Sequence, residues 1–289
     1  MDYSVIIPHR NSLDLLTKAV NSIPEDERIE IIVVDNSTKP IDFSSLEKKS
    51  NVQILFSPTS KGAGGARNMG LHHATGKWIL FLDADDFFPD NVFDKLYPYV
   101  ETDYDIIFGR GTSVGETDRH SLTMENIDDY FKTNNEDKLR YCWDSPWGKV
   151  YSSKFLKEHE IQFDEISAGN DIMFSVKAGH SASSIYVIQE ILYCITIQEK
   201  SITSTHSLEN IESRFKVKVR YNKYLSSINK KEYRQSVIFL LFSSLKYGLS
   251  PFFRLLSYSI QNKNNIFVGI LRWPKTFFIL MKNKLICKQ

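Results

Sequence analysis

Three carboxylates stand within four positions of the chain, at Asp83, Asp85 and Asp86. They directly follow the apolar run 78–82, which is short enough to be a strand buried on both faces. Carboxylates this close repel one another unless solvent or a cation lies between them. At the carboxyl end of a parallel strand they would suit a divalent cation whose shell phosphate oxygens complete. The alternative is an acidic surface turn that caps a helix beginning near Pro89.

A second buried strand also ends on a carboxylate. Residues 29–34 (IEIIVV) are apolar almost throughout, and Asp35 follows them. The core gains nothing from an aspartate at this place, so packing does not explain the repeat. In a parallel sheet the carboxyl ends of strands share one edge. We therefore expect Asp35 to lie on the same rim as Asp83 and Asp85.

A glycine-rich segment, KGAGGARNMG, spans residues 61–70. It is not a dinucleotide fingerprint, because Arg67 stands where the third glycine should be. We expect a flexible loop and then a helix that begins near Ala66. Arg67 would offer a forked donor to a phosphate or a base edge. The alternative is a loop with ordinary turn glycines.

The elements that must position these residues alternate between strands and helices, which predicts an α/β fold with a mostly parallel sheet. A short helix is predicted at 45–50, and further helices are predicted at 90–100 and 128–140. From about residue 205 the pattern becomes helical, and an amphipathic helix at 232–247 should stop at Gly248. The predicted domains are 1–204 and a basic helical region, 205–289.

Composition sets further bounds on the class of protein. The hydrophobic fraction is 42% and the aromatic fraction 13%, enough for a sizeable core rather than a disordered chain. Cys142, Cys194 and Cys287 are scattered, and their spacing suggests neither a disulfide framework nor a zinc site. No signal-peptide pattern opens the sequence, and no apolar run approaches the roughly 18 residues of a membrane span. We expect a cytoplasmic protein.

The net charge of +1 conceals an asymmetry between the two parts of the chain. Residues 1–213 hold 20 Lys and Arg against 34 Asp and Glu, whereas residues 214–289 hold 16 against one. The basic part could be a solvated helix face, a dimer surface or a contact with an anionic membrane, for which residues 277–280 (FFIL) supply apolar groups. Nucleic acid fits poorly, because the rest of the chain is acidic.

Taken in order, the motifs resemble those of the family 2 glycosyltransferases of the GT-A fold. The matching segments are SVIIPHRN, VVDNST, GGARNMG, ATGKWILFLDADD and PWGKVY, followed by a later aspartate at a helix start. The resemblance covers about residues 3–205. It implies a Rossmann-like, mostly parallel sheet and a nucleotide-sugar donor.

The resemblance also implies roles for the residues near the donor. Pro8, Arg10 and Asp35 would line a uridine pocket, with Arg67 nearby. Arg10 stands where the family usually has an aromatic residue before the first Asn. Asp83 would contact the ribose or the sugar.

Two further roles follow from the same resemblance. Asp85, in the D-x-D motif, would bind Mn²⁺ or Mg²⁺ on the diphosphate. The catalytic base usually belongs to a Glu-Asp pair, which here reads Asn170–Asp171, so Asp171 would be the base. The alternative for Asp171 is simple N-capping of its helix.

On the acceptor side the aromatic cluster offers Trp147, Lys149 and Tyr151. Aromatic faces suit sugar rings, although core packing would place aromatics here equally well. His206 could be a further metal ligand or could simply face solvent.

The resemblance implies an inverting, metal-dependent transferase that acts on a glycan or lipid-linked glycan in bacterial surface polysaccharide synthesis, such as capsule. Two rival hypotheses remain. One is a catalytically silent nucleotide-sugar-binding partner subunit, for which Asn170 is the best argument. The other is a nucleotidyltransferase, which would release pyrophosphate.

Overall fold

The computed structural model describes residues 1–114, 121–197 and 207–268. The chain forms two units, Met1–Glu199 and Lys200–Gln289. The boundary predicted after residue 204 lies outside the described residues, and so do His206 and the apolar segment 277–280.

The first unit is built on a seven-stranded sheet. Its strands are β1 (Tyr3–His9), β2 (Ile29–Asp35), β3 (Val52–Phe56), β4 (Trp78–Phe81), β5 (Ile106–Val114), β6 (Lys149–Ser152) and β7 (Ile185–Thr196). Their order is β3-β2-β1-β4-β6-β5-β7. β6 runs antiparallel to both of its neighbours, and the other pairs are parallel. The predicted α/β class with a mostly parallel sheet is confirmed.

Helices cover both faces of this sheet. They are α1 (Leu13–Asn21), α2 (Gly62–His73), α3 (Val92–Leu96), α4 (Ser121–Thr133), α5 (Asp137–Cys142), α6 (Ser153–Glu158) and α7 (Ile172–Ser181). Successive side chains of a strand point to opposite faces. In β1, Val5 and Ile7 pack into one core while Ile6 packs into the other. Burial on both faces explains why these strands read as continuous apolar runs.

Strand direction brings the polar strand ends together. β1 is parallel to β2 and β4, with His9 opposite Asp35, so the carboxyl ends of these strands share one edge. Because β6 is antiparallel to β4, its first residue, Lys149, lies at the same edge. We call this the carboxyl edge. Asp35 and Asp83 both lie there, as the sequence predicted.

The predictions for segments 128–140 and 45–50 were wrong. The segment 128–140 is not one helix, because Asn134 adopts a φ of 55° between α4 and α5. Asparagine accepts this left-handed conformation more readily than most residues. Residues 45–50 form turns instead of a helix.

The second unit is helical and has its own core. Its helices are α8 (Leu208–Ser227), α9 (Ile238–Ser243) and α10 (Leu249–Gln261). Ser207 caps α8 by accepting a hydrogen bond from the Asn210 amide. The predicted helix 232–247 is shorter than expected, but Gly248 ends this segment with a φ of 105°. None of the described helices has the length and apolar character needed to cross a membrane.

Candidate active site

The glycine-rich segment is the start of α2, not the flexible loop that the sequence predicted. The helix begins at Gly62, about one turn before the expected start at Ala66. A Cβ placed on Gly64 would lie 2.0 Å from the carbonyl oxygen of Asp164. The segment therefore needs a residue without a side chain so that α2 can approach the 164–170 loop. That approach brings Arg67 to the carboxyl edge.

Arg67 joins two distant parts of the chain. Its buried guanidinium donates from Nη2 to Oδ1 of Asp83 at 2.5 Å and from Nη1 to Oδ1 of Asn170 at 2.9 Å. It also lies 5.3 Å from the centre of the Phe163 ring. The planar fork of arginine suits two acceptors at once. The family resemblance led us to expect a glutamate at position 170. Asn170 supplies a neutral acceptor there instead, and it holds Arg67 beside Asp83.

Asp171 follows Asn170 and stands at the N-cap position of α7. Among the described residues of the first turn of α7, no amide donates to its side chain, so N-capping does not account for it. Burial and the neighbouring carboxylate of Asp144 raise the pKa of Asp171 to about 6, against the opposing effect of Arg67. A carboxylate with a raised pKa near neutrality is suited to accept a proton.

The three carboxylates after β4 do not share one environment. Asp83 and Asp85 are half-buried, whereas Asp86 is buried. Burial, followed by the charges of Asp83 and Asp85, raises the pKa of Asp86 to about 8. Asp86 is therefore shielded from solvent, unlike Asp83 and Asp85, and we do not count it among the ligands of a bound cation.

Asp86 is held by β7. Its Oδ2 accepts a hydrogen bond from the Tyr193 hydroxyl at 2.7 Å, and its Oδ1 accepts one from the Thr196 amide at 2.7 Å. The same Tyr193 oxygen accepts a hydrogen bond from the Asp83 amide at 3.1 Å. Tyr193 thus fixes the backbone of residues 83–85, which we call the D-x-D turn. Asp86 in turn orients the Tyr193 hydroxyl.

The carboxylate oxygens at this turn are suitable ligands for a hard divalent cation. Asp83 and Asp85 offer carboxylate oxygens and remain partly open to solvent. Within the described residues, no three His, Cys, Asp or Glu side chains converge as a protein-only metal cage. Magnesium is commonly held by one or two carboxylates together with substrate phosphates, so the half-buried carboxylates of Asp83 and Asp85 suit such a site.

Asp35 is fixed by a residue that the sequence analysis did not single out. Its Oδ1 lies 2.8 Å from Nδ1 of buried His9, whose Nε2 accepts a hydrogen bond from the Ser12 amide at 3.1 Å. Because Nε2 accepts, the proton of the neutral ring lies on Nδ1 and points at Asp35. Ser37 donates its hydroxyl to the same carboxylate oxygen. Asp35 therefore has a fixed orientation.

The two loops beyond β1 and β2 are tied to each other next to Asp35. The Asn11 amide donates to the Ser37 hydroxyl at 2.7 Å, and Asn11 Oδ1 accepts from the Thr38 amide at 3.0 Å. A cavity of about 310 Å³ opens here, lined by Asn11, Thr38, Lys39 and Ile41. Of the predicted donor residues, Pro8 is half-buried at the end of β1 and Arg10 is exposed.

On the predicted acceptor side, Lys149 is buried and its Nζ donates to the carbonyl oxygens of Trp143 and Ser145, at 2.7 and 2.8 Å. Burial lowers its pKa to about 7. Trp147 is half-buried and stacks on Tyr193 with ring centres 5.0 Å apart. Lys149 thus shapes the 143–148 loop, and the stacked Trp147 connects that loop to the D-x-D turn. Contact of either residue with an acceptor stays a prediction.

The comparison with family models agrees with the geometry. Residues 4–159, more than half of the chain, match the model described as glycosyl transferase family 2. The chain belongs to this family. The match includes β1 to β6 and the D-x-D turn, and the resemblance that the sequence motifs indicated is confirmed.

Individual relatives of this family 2 chain cover it to different extents. It is 26% identical over 205 residues to the poly(ribitol-phosphate) β-N-acetylglucosaminyltransferase TarS of Staphylococcus aureus, covering 67% of this chain and 35% of that enzyme. It is 24% identical to the uncharacterized glycosyltransferase EpsJ of Bacillus subtilis, covering 76% and 70%. The chain therefore spans about a third of the length of TarS.

Solved structures show the same fold. The crystal structure of S. aureus TarS 1–349 in complex with UDP-GlcNAc superimposes with a TM-score of 0.69 at 23% identity, covering 91% of this chain and 81% of that one. The complex with UDP gives a TM-score of 0.62 at 24% identity. The fold is GT-A, as predicted.

Proposed function

We propose that this chain is an inverting, metal-dependent glycosyltransferase. It would move a sugar from a nucleotide diphosphate, most suitably a UDP-sugar, to a hydroxyl of a glycan or lipid-linked glycan. The observation that carries the proposal is the pair of hydrogen bonds from Arg67 to Asp83 and to Asn170. They hold Asp83 of the carboxyl edge near the Asn170–Asp171 turn. The named activity of TarS and its solved complex with UDP-GlcNAc support this donor class.

In the proposed reaction Asp171 is the catalytic base. Its carboxylate takes the proton of the acceptor hydroxyl while that oxygen bonds to the anomeric carbon of the donor. The bond from that carbon to the diphosphate oxygen breaks, and the nucleoside diphosphate leaves. A single displacement of this kind inverts the anomeric centre. General-base assistance contributes typically ~10²–10⁴-fold in rate.

Residues of the carboxyl edge hold the donor. Asp35, fixed by His9, takes the base side with Pro8 and Arg10, and Asp83 with Arg67 takes the ribose and phosphate side. Asp85 is the proposed ligand of Mn²⁺ or Mg²⁺, which supplies charge neutralisation to the leaving diphosphate when it is bound. Trp147 and Lys149 belong to the acceptor side.

We place the reaction in the synthesis of a bacterial surface polysaccharide, such as capsule or a teichoic acid. Support comes from relatives named for poly(ribitol-phosphate), which are TarS and a poly(ribitol-phosphate) β-glucosyltransferase of Bacillus spizizenii. The proposal includes a cytoplasmic enzyme with peripheral contact to an anionic membrane. Homodimer formation through the C-terminal helices stays a further prediction.

The experiment that tests the function is a screen of nucleotide sugars with the purified full chain and Mn²⁺. Released nucleoside diphosphate is expected, and its yield should rise when an acceptor glycan is added. Release of pyrophosphate would instead identify a nucleotidyltransferase. Nucleotide binding without any turnover across donors and acceptors would favour the silent partner subunit and contradict the proposal.

A further inference from the structure

The second unit exposes an apolar surface that its own core does not cover. Eight of the fourteen exposed large hydrophobic side chains among the described residues fall between residues 239 and 267. We call seven of them the apolar face: Phe239, Phe242, Leu245, Tyr247, Leu249, Phe253 and Ile260. Single exposed apolar residues are ordinary, but a concentration of this kind marks an interaction surface.

Helix α10 shows how the face is formed. Leu249, Phe253 and Ile260 are four and seven residues apart, so they lie along one side of the helix. They are exposed to 66%, 58% and 66%, while Leu255 and Ser259 on another side are fully buried. α10 thus carries two apolar stripes, and the core uses only one of them.

Aromatic contacts connect α9 to this stripe. The Phe242 ring lies 5.9 Å from the Phe252 ring, which lies 5.5 Å from the Phe253 ring. Phe242 and Phe253 therefore both contact the Phe252 ring, which connects the exposed aromatic residues of α9 and α10.

The charge around the face is strongly positive. Residues 207–268 hold eleven Lys and Arg against three acids, Glu209, Glu212 and Glu232. Glu212 is already engaged by Arg254. Lys246 lies within the face, between Leu245 and Tyr247, and Lys263 follows Ile260; both lysines are exposed. A partner at this surface must accept apolar side chains and supply negative charge.

We propose that the apolar face lies in the surface of an anionic membrane. An interfacial helix combines an apolar side rich in Phe and Leu with flanking cations, and it lies in the plane of the membrane rather than across it. Each basic residue near an anionic surface adds to the attraction. A second copy of the chain fits less well, because pairing this face with itself would bring the same cations together.

This inference deepens the membrane contact that belongs to the proposed function. The test uses neither donor nor acceptor, so its failure leaves the transferase proposal standing. The full chain is sedimented with vesicles of phosphatidylcholine alone and with vesicles that also contain phosphatidylglycerol. Binding is expected to the second kind, and it should weaken as salt is added.

Two double variants address the face. Phe242→Ser with Phe253→Ser should weaken binding to anionic vesicles by about tenfold or more, because two rings lose their apolar environment. Lys246→Glu with Lys263→Glu should weaken it by about fivefold or more for each lysine. All four side chains are exposed, so folding should not depend on them.

Matched controls come from the first unit. Phe131→Ser removes a ring that is 44% exposed on α4, and Lys154→Glu reverses a lysine whose side chain is 82% exposed. Both variants should bind vesicles like the unaltered chain. They separate the loss of this particular face from a general loss of surface hydrophobicity or charge.

Other results would overturn the inference. Equal binding to both kinds of vesicle, or no binding, contradicts it. So does vesicle binding that both double variants retain, since another segment would then make the contact. If the variants instead dissociate a dimer in sedimentation velocity runs, the occupant is a second copy. Binding to soluble polyphosphate as strong as binding to vesicles would point to an anionic polymer.

Discussion

The two units treat charge and apolar surface in opposite ways. In the first unit the ionisable groups of the carboxyl edge are buried or half-buried, apart from exposed Arg10, and several are held by named partners, as Arg67 is by Asp83 and Asn170. Among the described residues of the second unit, most Lys and Arg side chains are exposed, and so are large apolar side chains such as Phe253.

The difference separates two kinds of task. Chemistry on a polar substrate requires fixed charges in a site that holds little water, where each electrostatic contact gains strength. Docking to a surface requires exposed apolar side chains that lose their contact with water on binding. It also requires charged side chains that are exposed to solvent. The first unit has the features of a catalytic site, whereas the apolar face of the second unit suits the docking that we propose for it.

The largest effect is expected on the transfer rate, when the proposed base of the first unit is replaced. Asp171→Asn keeps the shape of the side chain but removes the group that accepts a proton. The transfer rate should fall by ~10²–10⁴-fold. UDP affinity, measured by calorimetry, should stay unchanged because Asp171 is not placed on the donor. An unaltered rate would refute its assignment as the base.

The pH dependence of the rate gives a second test of the same residue. The pKa of Asp171 is raised to about 6, so its carboxyl keeps a proton to higher pH than an unfolded aspartate does. The base form, and with it the rate, should increase as pH rises through about 6 and should fall about tenfold per pH unit below it.

Burial has the largest effect on the pKa of Asp171, and several charged groups add to it or oppose it. Asp144 and Asp83 raise the pKa of Asp171, and Arg67 lowers it; buried Lys149 and Tyr151 also lie within its field. Asp144→Asn should therefore move the rising limb to lower pH. A limb that stays in place would mean that another group controls the rate.

A smaller effect is expected at the support of the D-x-D turn. Tyr193→Phe removes the hydroxyl that accepts from the Asp83 amide and donates to buried Asp86. Leaving such groups unpaired costs about 1–3 kcal/mol, which thermal unfolding would detect. Tyr130→Phe, at a half-buried ring on α4, is the matched control and should change little. Equal stability of Tyr193→Phe and the unaltered chain would show that the turn does not depend on this hydroxyl.

The smallest effect is expected on the free energy of unfolding, when an exposed ring of the second unit is replaced. Phe253→Ser should change the free energy of unfolding by less than about 0.5 kcal/mol, because the ring is exposed. Phe215→Ala, in the core of the same unit, should cost about 3–5 kcal/mol. Chemical denaturation measures both. A large loss for Phe253→Ser would mean that the apolar face is part of a core.

Much of the catalytic edge could be predicted because its signals are local. Asp35 and Asp83 each follow a buried apolar strand, and parallel strands end at one edge. The family resemblance then supplied roles for residues far apart in the sequence. The start of α2 was missed because glycine usually indicates a loop, whereas Gly64 is set by contact with Asp164.

The partners of the site residues could not be predicted in the same way. Arg67 and Asn170 are 103 residues apart, and Asp86 and Tyr193 are 107 apart. No spacing rule connects such pairs, since only the folded sheet brings them together. His9 was overlooked for the same reason, because its role depends on its register opposite Asp35.

In the proposed function, the carboxyl edge binds a nucleotide diphosphate through a cation held by Asp85. Titration calorimetry of UDP with and without Mn²⁺ tests it most directly, on the unaltered chain and on Asp85→Ala. We expect Mn²⁺ to tighten UDP binding to the unaltered chain, and Asp85→Ala should lose this gain. UDP affinity that is the same with and without Mn²⁺ in both proteins would contradict it.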